Sequence, residues 1–201
     1  VGSERCIRDR GKTLAYLLPL LLTLKPNNDS VQVLILVPSR ELALQIDTVF
    51  RSMGTSWKTC CCYGGHPIAE EKKSIAGNHP AIIIGTPGRI TDHLAKGNFD
   101  PETIETLIID EFDKSLEFGF HDEMAEIITQ LPGLKKRVLL SATDAEEIPQ
   151  FTGLNRTVKL DFLPETSQEQ ETRLKLMKVL SPSKDKIDTL YNLLCTLGSS
   201  S

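Results

Sequence analysis

Seven consecutive residues, Val31-Gln32-Val33-Leu34-Ile35-Leu36-Val37, are apolar but for one glutamine and rich in β-branched side chains. A strand with one wet face alternates apolar and polar residues, whereas an unbroken run of this kind needs cover on both faces. Shorter runs of the same character recur at residues 58–63, 81–84, 106–109, 137–140 and 157–160. Helical patterns fill the intervals at residues 40–53, 68–76, 89–96, 120–130 and 145–151. Strands alternating with helices predict an α/β fold: a parallel β-sheet of right-handed βαβ units, with helices on both faces. In such sheets function gathers at the carboxyl ends of the strands. The unusual residues of this chain do follow its apolar runs.

After residue 163 the character changes. Residues 164–173 are polar and without periodicity, which reads as a linker. Residues 174–180 form one more apolar run. Ser181-Pro182 is a helix-start signal leading into residues 185–197. One strand and one helix cannot make a domain. The expected organisation is therefore a lobe over residues 1–163, a linker over 164–173 and the truncated start of a second lobe over 174–201.

Composition excludes several classes. With a formal net charge of −4 the chain is no bulk electrostatic trap for nucleic acid, so any such contact must come from a local patch or backbone amides. Of five cysteines, Cys60, Cys61 and Cys62 are consecutive, which suits neither a disulfide framework nor a Cys-x-x-Cys metal knuckle. They read as small apolar residues of a buried strand. The four histidines are scattered and suggest no ligand pair. No apolar run reaches the roughly 18 residues a membrane span needs, so no membrane partner is expected, and a reducing cytoplasmic setting is the default. A monomer is the expectation.

Three groups of residues could carry chemistry. Leu107-Ile108-Ile109-Asp110-Glu111 is an apolar strand ending in two acids. That is what a nucleoside triphosphatase needs: one carboxylate for Mg²⁺ and its waters, a second to take a proton from the attacking water. Two solvated acids at a strand end fit the same residues equally well. Gly11-Lys12-Thr13 precedes an apolar helical stretch at residues 14–24 and matches the end of a phosphate-binding loop, with Lys12 for phosphates and Thr13 for Mg²⁺. The third group comprises Pro38-Ser39-Arg40, Gly64-Gly65 and Thr86-Pro87-Gly88-Arg89. Each follows a strand and offers amides, a hydroxyl or a guanidinium to a phosphate backbone; each alone is as well explained by capping and turns. Ser141-Ala142-Thr143 ends a further strand with two hydroxyls that could reach Asp113, or could cap a helix.

Taken in order, these motifs resemble those of the DEAD-box RNA helicases of superfamily 2, over residues 11–163. The resemblance implies a RecA-like lobe of the P-loop NTPase type that uses ATP and Mg²⁺ and binds RNA through its sugar-phosphate backbone. It assigns Gly11, Lys12 and Thr13 to the nucleotide, and Thr13 and Asp110 to Mg²⁺. It makes Lys12, Asp110 and Glu111 catalytic, Glu111 acting on the attacking water. Pro38, Arg40, Gly65, Thr86 and Arg89 would face RNA. Asp113, Ser141 and Thr143 would couple nucleotide state to RNA binding.

The chain also departs from the family pattern. Asp9 stands where the family has a glycine whose amide lies against phosphate, and Cys6 where the pattern begins with a small residue. A carboxylate ~4 Å from a phosphate charge costs up to ~4 kcal/mol at an effective dielectric near 20, unless Arg8 or Arg10 offsets it. Phe112 replaces the usual alanine between Glu111 and Asp113. Two expectations follow: the first lobe of an ATP-dependent RNA helicase, inactive by itself, or an RNA-binding or scaffold module of the same fold that has lost ATP.

Overall fold

The computed structural model describes residues 4–26, 28–142, 148–154, 158, 160 and 186–197, and at 4–10, 194 and 197 the backbone alone. The chain divides into two compact units, one over residues 4–156 and a second comprising 1–3 and 157–201.

The larger unit begins with helix α1 (Glu4–Leu21) and continues through β1 (Val33–Leu36), α2 (Arg40–Ser52), β2 (Thr59–Cys62), α3 (Ile68–Asn78) and β3 (Ile82–Gly85). It closes with α4 (Pro87–Ala95), β4 (Thr106–Ile109), α5 (Phe112–Glu117), α6 (His121–Thr129) and β5 (Lys136–Leu139). All strand pairs are parallel, in the order β2-β3-β1-β4-β5. Val33 is in register with both Ile82 and Thr106, so β1 lies at the centre. The predicted parallel α/β sheet is what the chain builds.

Alternation along each strand divides the core in two. Leu34, Leu36, Ile83, Leu107 and Ile109 point to one face, packed under Ile75 of α3, Ile90 and Leu94 of α4, Phe112 of α5 and Met124 and Ile127 of α6. Val33, Ile35, Ile82, Ile84 and Ile108 point to the other, covered by Tyr16, Leu17 and Leu20 of α1 and Ala43, Ile46 and Phe50 of α2. Both faces are dry, which is why the sequence runs lack a polar alternate. Gly85 shows how close the packing is: a Cβ there would lie 2.5 Å from the Cys62 carbonyl oxygen and 2.6 Å from Ile90 Cδ1.

Two expectations differ from the structure. Gly11-Lys12-Thr13 does not open a helix; α1 begins at Glu4, and the three residues lie inside it. The segment Cys6-Ile7-Arg8-Asp9-Arg10 has no glycine, and Arg and Ile propagate a helix at far lower cost than the glycines of a phosphate loop. The run at 157–160 supplies no described strand: Val158 and Leu160 are exposed and in no regular structure, and 157 and 159 lie outside the described residues. The linker and the run at 174–180 also lie outside the described residues. In the smaller unit, helix α7 (Ile187–Leu197) falls where residues 185–197 predict one.

Candidate functional site

Because the strands are parallel, their carboxyl ends share one edge of the sheet. Asp110 follows β4 there, next to the central strand, and its N–H donates to the Leu36 carbonyl at 2.9 Å. The Asp110 side chain is fully buried, a costly place for a charge unless it is paired. Three donors meet it. Lys12 Nζ lies 2.7 Å from Oδ1, the Glu111 N–H donates to Oδ1 at 2.9 Å, and the Tyr16 hydroxyl donates to Oδ2 at 3.3 Å. Burial, then the Asp110 charge and its hydrogen bond, push the Tyr16 phenol well above its ordinary pKa. Thr13 is buried, and its hydroxyl is hydrogen-bonded to Tyr16. Lys12 and Asp110 are thus brought together, while Thr13 faces the core and the amides of residues 11–13 lie within the helical ladder.

Glu111 adopts a left-handed backbone, φ 50° and ψ 52°, a strained state for a residue with a Cβ. The turn starts α5 directly after the strand and leaves the carboxylate partly exposed, 3.0 Å from Lys114 Nζ. That contact raises the Lys114 pKa. Phe112 is buried against the α6 side of the core, and its N–H donates to the Leu140 carbonyl at 2.9 Å. This bond brings the start of α5, and so Asp113, beside the end of β5 and Ser141. Thr143 lies outside the described residues.

The ends of β1, β2 and β3 form the other half of the edge. Ser39 caps α2, accepting from the Leu42 N–H at 3.3 Å, and frees Arg40 to lie exposed with its guanidinium 5.1 Å over the Tyr63 ring. Gly65, with φ 100°, occupies backbone space few other residues enter. The Thr86 N–H donates to the Cys62 carbonyl at 3.0 Å. Pro38, Arg40, Gly65 and Thr86 therefore sit together on adjacent strand ends, with Pro38 itself buried.

Arg89 takes a different position. Only 11% of its side chain is exposed; Nη2 donates to the His66 carbonyl at 2.9 Å and Nη1 lies 3.4 Å from Glu71 Oε2. Glu71 is a buried hub that the sequence did not disclose. Its Oε1 accepts from the Tyr63 N–H at 2.9 Å and lies 2.8 Å from His66 Nε2; its Oε2 lies 2.6 Å from His93 Nε2. Two of the four scattered histidines, His66 and His93, thus converge on one acid. The only sequence signal was an acid at the inward position of an otherwise solvated run, Glu70-Glu71-Lys72-Lys73.

The family model for DEAD/DEAH box helicases matches residues 10–151. The chain belongs to the DEAD/DEAH box helicase family. It is 36% identical over 158 residues to the DEAD-box ATP-dependent RNA helicase RhpA of Helicobacter pylori, covering 77% of this chain and 32% of that protein. It is 38% identical over 168 residues to ATP-dependent RNA helicase drs1 of Aspergillus clavatus, covering 80% and 20%. Among solved structures, a DEAD box protein from Methanococcus jannaschii superposes with a TM-score of 0.63 at 33% identity, over 67% of this chain and 37% of that one. A hypothetical ATP-dependent RNA helicase from Sulfolobus tokodaii gives 0.62 at 34%, over 71% and 41%. The chain thus spans about a third or less of the length of those curated relatives. Among the described residues no helix is long and apolar enough to cross a membrane.

Proposed function

We propose that this chain is the first lobe of an ATP-dependent RNA helicase, binding Mg-ATP at the Lys12–Asp110 end of the sheet and RNA backbone at the ends of β1 to β3. The 2.7 Å contact between Lys12 and Asp110 carries this reading. An ammonium on a flexible stem neutralises a buried carboxylate where phosphate and cation would meet; the same ammonium can swing to a β- or γ-phosphate as Mg²⁺ takes over the carboxylate.

The hard oxygen of Asp110 suits Mg²⁺ held through water, and Tyr16 fixes the orientation of the carboxylate. Bound Mg²⁺ would neutralise charge on the transferring phosphoryl group. Glu111, on its strained turn, would accept the proton of the attacking water once it leaves Lys114. Pro38, Arg40, Gly65 and Thr86 face RNA sugar and phosphate, a mode that carries little base specificity. Arg89 would serve the same surface by holding the His66 carbonyl. Asp113 and Ser141 would link the two ends of the edge. A further lobe would supply the arginine that phosphoryl transfer requires, so this chain alone should turn over ATP negligibly.

A second reading rests on one observation: the helix from Glu4 to Leu21 ties the amides of Gly11, Lys12 and Thr13 into its own ladder and away from an anion. On that reading the protein is an RNA-binding or scaffold module that has lost ATP. Calorimetric titration with Mg-ADP and Mg-ATP, beside a Lys12→Ala control, separates the two. Binding lost in the control supports the motor lobe. No binding by a folded chain, and none by a longer one extended upstream, supports the scaffold.

A further inference from the structure

Cys62 at the end of β2, Glu71 on α3 and His93 on α4 are all buried, and their sulfur, oxygen and nitrogen atoms lie within 4.8 Å of one another. Cys60 lies two residues earlier on the same face of β2. Its thiol stands 3.7 Å from Ser74 Oγ. A sulfur, an imidazole and a carboxylate drawn from three separate elements are a zinc-type donor set. We propose that this cluster is a binding site for one borderline-soft divalent cation such as Zn²⁺, ligated by Cys62, Glu71 and His93, with water in the fourth position.

A second observation points the same way. His93 Nδ1 lies 2.9 Å from Asn98 Nδ2, while Asn98 Oδ1 is buried with no hydrogen-bond partner among the described residues. Once a metal takes Nε2 and the ring proton moves to Nδ1, turning the amide over lets Asn98 Oδ1 accept it. A neutral imidazole protonated at Nδ1 presents a bare Nε2 to a metal, and an amide or carbonyl acceptor on the other nitrogen is how ligating histidines are held.

Charge and access agree. With neutral thiols, the Glu71 carboxylate is balanced by Arg89. Metal binding sends the Cys62 thiol proton to solvent and transfers the His93 proton from Nε2 to Nδ1. One thiolate and one carboxylate then neutralise the dication, with the Arg89 guanidinium beside Glu71. An open cleft of about 320 Å³, lined by Cys60, His66 and Glu71 among others, leads to the cluster.

The test is titration of the reduced chain with Co²⁺, followed by its thiolate-to-cobalt charge-transfer band and tetrahedral visible bands. One equivalent should bind, Zn²⁺ should bleach the bands, and Cys62→Ser should abolish the charge transfer. Asn98→Ala leaves every ligand in place and should weaken Co²⁺ binding about 10–100-fold; circular dichroism checks that each variant is folded. A folded chain without a charge-transfer band would overturn the proposal. A band that survives Cys60→Ser/Cys62→Ser would overturn it too.

Discussion

Lys12 Nζ lies 2.7 Å from Asp110 Oδ1, joining the middle of α1 to the end of β4. Asp110 is buried, whereas about a third of Lys12 is exposed. The carboxylate therefore depends on the ammonium more than the ammonium depends on it.

Removing the ammonium while keeping its stem, Lys12→Met, should leave Asp110 charged and short of a partner. Breaking a fully buried pair costs about 3–5 kcal/mol; with water able to reach this one, about 1–2 kcal/mol is expected in urea denaturation. Adding Asp110→Asn should return most of that loss. If the double variant is no more stable than the single one, the pair is not what holds this edge.

Tyr16 gives a stability effect with a definite pH sign. Its folded pKa is raised by burial and by Asp110, so its contribution is complete below the unfolded tyrosine value of about 10 and is lost as pH climbs above it. Tyr16→Phe removes a hydrogen bond to a charged group, costing about 1.5–3 kcal/mol near neutrality. It should also flatten the alkaline fall in stability. Thermal melts of both proteins from neutral pH upward check this: curves that stay parallel above the tyrosine range would show that the phenol ionises as freely in the folded chain.

The fold was legible because its central strands are covered on both faces, so residues 33–36 and 107–109 could tolerate no polar alternate. Asp110 and Lys12 were legible because a buried acid at a strand end and a Gly-Lys-Thr are rare together. Three features were not legible, each for its own reason. Residues 4–10 contain ordinary helix formers, so nothing local told a helix from a degraded loop. Glu71 sits in a run of charges, and only the third dimension shows which one faces inward. Arg89 has the residue type of a phosphate ligand, yet a buried carboxylate beside it outcompetes solvent for the guanidinium.

The Glu71 hub predicts a coupled loss. Glu71→Gln keeps the volume but leaves the Arg89 guanidinium, 11% exposed, without its counter-charge, at a cost of about 3 kcal/mol. It also weakens the grip of α3 on Tyr63 and His66, and hence on the Gly64-Gly65 turn. Under the proposed function, binding of single-stranded RNA should fall with it. Arg89→Met in the same chain should recover stability but not RNA affinity. Recovery of both would mean that the hub serves packing alone.

Phe112 is the departure from the family motif that the structure explains most fully. Its ring is 1% exposed and packs in the core cluster that contains Met124 and Ile127 of α6, so it fills space beneath the acidic turn rather than obstructing it. Phe112→Ala, which restores the residue usual in the family, should therefore destabilise this chain by about 3–5 kcal/mol. Mg-nucleotide affinity, measured where the variant is still folded, should hold, because the Asp110 carboxylate takes its donors from Lys12, Tyr16 and the Glu111 amide and none from the ring. A stable variant with altered nucleotide binding would place Phe112 at the site instead of under it.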